Sequence, residues 1–174
     1  DTRAVARSKP YAHSDLIRAG DPAKVFAEFR DGAWLDPAMT MLGSEQEAWL
    51  SRAIGRNKST WAVLGSGTNM GYNYTPENAM DWFPANAPER TRSYVRQGIA
   101  AGKAGLPYNL DNWGGYPAAR SRLLAAAQRA DANLVVLTGD SHNGWAFDLP
   151  EGGKPAGVEF GGHSVSSPGF EDYL

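Results

Sequence analysis

The chain has 174 residues and a formal net charge of −2, with 42% hydrophobic and 21% charged residues. That length suits one domain with a core of its own, and the ordinary composition excludes the disordered and fibrous classes. No Lys or Arg run makes the basic stripe that nucleic-acid binding needs, and no apolar stretch approaches the roughly 20 residues that cross a bilayer.

Cysteine is absent, which removes disulfides and thiolate metal sites and fits either the cytoplasm or an exported bacterial protein. The chain opens on Asp1 rather than Met and carries no signal sequence, so the expectation is that something upstream has been removed.

The first 20 residues have no clean period. Asp21-Pro22 then offers an N-cap and an N1 proline for a short helix carrying Val25, Phe26 and Phe29 and ending near Gly32. Ser44-Glu45-Gln46-Glu47 fits the capping-box pattern, and Trp49, Leu50, Ala53 and Ile54 follow at helical spacing, which predicts a helix over about 45–56. Thr60-Trp61-Ala62-Val63-Leu64 reads as a buried strand that stops at Gly65-Ser66-Gly67. The stretch 69–88, rich in Asn, Tyr, Trp and Pro, reads as a long surface excursion.

A further helix is expected from Pro117 to about Ala130, with Leu123, Leu124 and Ala127 inward. The run 134–138 is continuously apolar up to Thr138, which predicts a strand covered on both faces. Asn143-Gly144 signals a tight turn into a returning strand at 145–149, and a third strand at 157–160 follows the Glu151-Gly152-Gly153 turn. Helix–strand alternation followed by a run of strands argues for a layered α/β or α+β sandwich.

Asp140 and His142 carry the sharpest chemistry, two residues apart in the loop directly after that apolar strand. A carboxylate and an imidazole suit a hard or borderline cation. The alternatives at this point are an aspartate that accepts turn amides and a histidine satisfied at a hairpin.

Gly65-Ser66-Gly67 lacks the spacing of a nucleophile elbow, and the glycines at 65, 67 and 71 lack dinucleotide-loop spacing. His163 is a lesser candidate ligand, and His13 reads as solvated. Trp82, Phe83, Tyr94, Trp113 and Tyr116 can stack on a substrate or pack in the core, with packing the more common fate.

Six segments resemble, in order, the C-terminal portion of the PhoD-like alkaline phosphatase and phosphodiesterase family. They are Asp1-Thr2-Arg3, Met41-Leu42-Gly43-Ser44-Glu45-Gln46 with Trp49-Leu50, Trp61-Ala62-Val63-Leu64, Asp111-Asn112-Trp113-Gly114-Gly115-Tyr116-Pro117 with Arg120, Leu137-Thr138-Gly139-Asp140-Ser141-His142, and Val158-Glu159-Phe160 through Ser164-Val165-Ser166-Ser167-Pro168-Gly169.

The resemblance implies an α/β fold of the metallophosphoesterase type, a four-layer αββα sandwich of which residues 1–174 form the C-terminal part of a single catalytic domain. It implies metal-dependent hydrolysis of small phosphate esters, mono- or diesters, with metal-activated water as nucleophile. Asp140 and His142 stand at the family's metal-ligand positions and are the residues the resemblance makes catalytic. Iron (Fe3+) with calcium (Ca2+) is the implied set, with Zn2+, Mn2+ or Co2+ as related choices, and the implied location is the periplasm or beyond.

The family's upstream metal-binding aspartates and its Trp-Asp-Asp-His-Glu segment belong before Asp1, so an N-terminal half or a second polypeptide is the expected partner. Where the family places Gln or Asn after the strand ending at Leu64, this chain has Ser66-Gly67-Thr68. The competing readings are a phospholipase D-like phosphodiesterase on the same scaffold, and a non-catalytic binding or structural chain with an incomplete metal site. Arg120 is expected to support the site rather than capture phosphate.

Overall fold

The computed structural model describes residues 7–169; the Asp1-Thr2-Arg3 segment lies outside them. The main elements are helices α1 (His13–Leu16), α2 (Pro22–Asp31), α3 (Ser44–Arg56), α4 (Glu89–Lys103) and α5 (Pro117–Arg129), and strands β1 (Ala62–Ser66), β2 (Leu134–Thr138), β3 (Trp145–Glu151) and β4 (Lys154–Gly161). The strands form one mixed sheet in the order β1-β2-β4-β3.

β1, β2 and β4 run parallel, with Leu64 level with Val136 and Val136 level with Glu159. β3 pairs antiparallel with β4. The strand after Asn143-Gly144 therefore does not turn back onto β2 as expected. It lies at the far edge, and β4 fills the place between them. Gly152 and Gly153, both in the left-handed region at φ 57 and φ 74, make the tight β3–β4 hairpin, a backbone that glycine adopts without steric cost.

The inner face of the sheet is covered by α3 and α5. Leu50 and Ile54 of α3 pack with Leu123, Leu124 and Ala127 of α5 against Leu134, Val136, Leu149 and Ala156. A second cluster joins Phe26 and Phe29 of α2 to Trp34, Ala101, Leu106 and Leu110. Burying large apolar side chains at about 25 cal/mol per Å² makes the two clusters the main source of cohesion.

The outer face of the sheet is open among the described residues. Val63 is 63%, Leu137 48% and Phe160 53% exposed, and the register puts all three on the side away from α3 and α5. The continuous apolar run of β2 led to an expectation of cover on both faces, and β1 to an expectation of burial. Instead one face is covered, and β1 is an edge strand.

Two local expectations also change. Ser44 does not cap α3. Gly43 holds the N-cap position, with its N–H on the Thr40 hydroxyl at 2.9 Å, and Glu47, the capping-box acid, pairs with Arg122 instead. α4 is a helix that the sequence pattern does not predict. Its buried positions, Val95, Gly98 and Ala101, are small rather than bulky, so no apolar stripe announces it. A Cβ at Gly98 would lie 2.7 Å from the Thr75 hydroxyl, and one at Gly102 would lie 2.4 Å from the Thr75 carbonyl. The glycines let the 69–88 segment lie flat on the helix, and that segment is no mere surface excursion: Met70 is fully buried.

Candidate metal centre

β2 delivers Thr138 to the end of the sheet, and the chain then enters a loop whose backbone is unusual. Asp140 at φ 72 and His142 at φ 64 both occupy the left-handed region. L-residues incur a steric cost there, and such positions cluster at functional sites. With Ser141 between them, both residues line one cavity of about 220 Å³, whose walls also include Asn69, Tyr108, Asn112 and Trp145.

His142 is oriented from behind. Its Nδ1 lies 2.8 Å from the Pro168 carbonyl oxygen. A carbonyl only accepts, so Nδ1 carries the hydrogen, and in the neutral form of the ring the lone pair is on Nε2, the arrangement typical of a ligating histidine whose other nitrogen is held by an outer partner. The strap that brings Pro168 there is itself tied down. Gly162 N–H donates to Thr138 O at 2.8 Å, Ser164 N–H to His142 O at 3.1 Å, and the Ser164 hydroxyl accepts from the amides of Ser166 and Ser167.

Below the cavity lies a polar knot that sequence reasoning passed over. Glu159 on β4 is fully buried. Its carboxylate accepts from the Thr138 hydroxyl at 2.7 Å, Asn69 Nδ2 at 3.0 Å, Met70 N–H at 3.0 Å and Gly71 N–H. A buried carboxylate is costly unless donors surround it, and here four separate groups do. Alternation in β4 gives the signal that was available: in Val158-Glu159-Phe160 the charged residue faces inward.

The other residues singled out sort cleanly. Ser66 is structural, its hydroxyl donating to the Thr68 carbonyl at 2.8 Å and accepting from Trp113 Nε1 at 3.2 Å. Arg120 does not line the cavity and donates to the Met70 carbonyl at 2.8 Å; Asp111 pairs with Arg7 at 2.7 Å. His163 is exposed and does not line the cavity. His13, expected to be solvated, is half-buried with its ring edge-on to Phe26, and desolvation lowers its pKa to about 4. Of the aromatic group, Trp113 and Tyr116 are buried while Trp82 and Tyr94 are exposed, so no stacking platform assembles from them.

The donor set fits a hard or borderline cation: one carboxylate, one imidazole with Nε2 presented, and amide walls. No group of three or more His, Cys, Asp or Glu side chains converges among the described residues. No Lys or Arg lines the cavity among the described residues.

A sequence model of the PhoD-like phosphatase family matches residues 1–174. The chain is 30% identical to alkaline phosphatase D of Bacillus subtilis (strain 168), in a match that covers 77% of this chain and 20% of that protein. A solved structure of PhoD superposes with a TM-score of 0.55 at 29% identity, over 77% of this chain and 22% of that one. The match thus spans about a fifth of the relative's length.

Proposed function

The chain belongs to the PhoD-like phosphatase family, and we propose that it is the C-terminal part of a metal-dependent phosphate-ester hydrolase in which Asp140 and His142 are metal ligands. The observation that carries this is the hydrogen bond from His142 Nδ1 to Pro168 O at 2.8 Å. It fixes the tautomer that presents Nε2, on a loop where Asp140 and His142 both sit on left-handed backbone. Left-handed non-glycine positions cluster at functional sites, and these two residues line one cavity.

The absence of Lys and Arg from the cavity walls among the described residues fits the same reading. A phosphoryl group brings negative charge, and with no side-chain cation to meet it, the counter-charge falls to bound ions. Those ions, Fe3+ with Ca2+ or a related divalent set, would offset the phosphoryl charge and lower the pKa of a bound water to make a nucleophile. Asp140 and His142 would hold and orient them, and the Asn and aromatic walls would shape the entrance for a small ester. The stacked Trp145–Phe147 pair, with ring centroids 5.7 Å apart, gives the leaving group an apolar shelf.

Two ligands do not complete a coordination shell of hard cations, and the open outer face of Val63, Leu137 and Phe160 is the size of problem that a second sheet solves. We therefore propose that an upstream half, or a second polypeptide, supplies both the remaining ligands and the packing layers of a four-layer αββα sandwich, making residues 1–174 the last part of one catalytic domain. Export to the periplasm or beyond belongs to the same proposal; a chain without cysteine is suited to it.

The test is metal content and hydrolysis in the protein carrying its upstream half. Wild type is expected to hold stoichiometric metal and to cleave p-nitrophenyl phosphate or its bis ester. Asp140→Ala is expected to lose both while keeping its fold. A metal-free wild type that stays inert after iron, calcium or zinc is added would favour a non-catalytic chain.

A further inference from the structure

We propose that the free edge of β1 is a strand-docking slot, and that its occupant is a β-strand of the upstream part of the same protein, paired main chain to main chain beside β1. The inference rests on the reading that an upstream half completes the domain; it adds where that half enters the sheet and through which groups.

The two edges of the sheet are built differently. β3, at one end, carries the devices that keep an edge from pairing: Asp148, Pro150 and Glu151 lie in the strand, and its register with β4 shifts between Leu149 and Pro150. β1, at the other end, carries none of them. Ala62-Val63-Leu64-Gly65-Ser66 has no charge and no proline, and its register with β2 runs without a shift. Such a strand suits a place between two neighbours.

Main-chain geometry fixes which groups face the open edge. Ala62 N–H donates to the Asn133 carbonyl at 3.0 Å, so Ala62, Leu64 and Ser66 turn their amides and carbonyls toward β2. Successive residues of a strand point these groups to opposite sides, which directs the N–H and C=O of Val63 and Gly65 outward. No described strand lies on that side to receive them.

α3 supplies the other wall. A groove of about 490 Å³ is lined by the whole of β1 and by α3, where Gln46, Trp49 and Ala53 recur at helical spacing. Leu50 and Ile54 beside them belong to the core, whereas Trp49 and Trp61, which both line the groove, are more than half exposed. No charged side chain lines it among the described residues. A slot with an unpaired strand edge and uncharged, largely apolar walls selects an extended apolar segment, the mode in which main-chain bonds hold a strand and alternate side chains fill the groove.

Continuity identifies the source of that segment. The Val63 side chain stands on the open outer face with Leu137 and Phe160, so the slot and that face form one uncovered surface. The relative matched over a fifth of its length has chain enough to cover both.

The experiment follows hydrogen–deuterium exchange, resolved to single amides, in the protein carrying its upstream half, at several protein concentrations and beside thermal unfolding of Leu137→Glu. The Val63 and Gly65 amides are expected to exchange as slowly as that of Leu64, which faces β2, and about 100-fold or more slower than unprotected amides at every concentration. Fast exchange at Val63 and Gly65 beside slow exchange at Leu64 would overturn this inference. With that result, a lowered melting temperature in Leu137→Glu would leave the upstream-half reading standing, and a harmless Leu137→Glu would remove both. Protection that fades on dilution, as a dimer dissociates, would give the edge to a second copy of the chain and overturn the inference too.

Discussion

The guanidinium carbon of Arg120 lies 4.4 Å from the centre of the Tyr72 ring, and its Nε donates to the Met70 carbonyl. One side chain of α5 thereby clasps the segment that follows Asn69. A charge-assisted hydrogen bond and a partly desolvated cation–π contact together amount to about 2–4 kcal/mol. Arg120→Ala is expected to lose about that much in denaturant unfolding. Inhibition by inorganic phosphate should be unchanged, because Arg120 does not line the cavity. Weakened phosphate inhibition in a folded variant would make Arg120 a substrate contact.

Asp140 sits at φ 72, where a Cβ costs about 1–2 kcal/mol and glycine costs little. Asp140→Gly should therefore be about 1 kcal/mol more stable than Asp140→Ala, although both remove the carboxylate and both are expected to lose the metal. Equal stability of the two variants would mean that the loop backbone is not held in the left-handed region in solution.

His13 gives a pH signature at a position that does not itself line the cavity. Folded, burial keeps its ring neutral down to about pH 4, against the ordinary 6.5; unfolded, it takes a proton near 6.5. The unfolded state then binds more protons between those values, so stability rises with pH across the window and is lost on acidification from about 6.5 to about 4. The slope approaches about 1.4 kcal/mol per pH unit at most. His13→Phe should flatten the pH dependence of unfolding by that share. An unaltered slope would place the ring in solvent.

The open sheet face predicts opposite effects in two contexts. In the isolated chain, Leu137→Glu and Phe160→Glu should reduce aggregation and dye binding, since apolar patches of this kind drive association. In the protein with its upstream half, the same substitutions should cost roughly 2–4 kcal/mol each through an unpaired buried charge. Harmless substitutions in the longer protein would leave that face as solvent-exposed surface.

Local sequence signals with a single cause were legible. Asp21 caps α2 through Lys24 N–H at 3.1 Å, α5 runs from Pro117 to Arg129 with Leu123, Leu124 and Ala127 inward, and β2 spans the expected 134–138. Features set by distant partners were not legible. α4 packs through Gly98 and Gly102 against Thr75 and through Ala101 into the Phe26 cluster, so hydrophobic periodicity cannot reveal it. β4 inserts between β2 and β3, a topology that no turn signal encodes. At the site, the pair Asp140 and His142 could be picked out from spacing and resemblance, and the inward place of Glu159 from strand alternation, whereas the pairing of Glu159 with Asn69 could not. Their meaning arises only when residues 90 positions apart meet in a hydrogen bond.

The measurement that bears most directly on the metal assignment is the metal content, by mass spectrometry, of protein carrying its upstream half, for wild type, Asp140→Ala and His142→Ala prepared in parallel. Because both side chains are placed as ligands of one centre, each substitution should remove metal and phosphate-ester hydrolysis together while thermal unfolding stays cooperative. Wild-type metal content in both folded variants would contradict that assignment, and the strained loop after β2 would then have to be explained by something other than a bound cation.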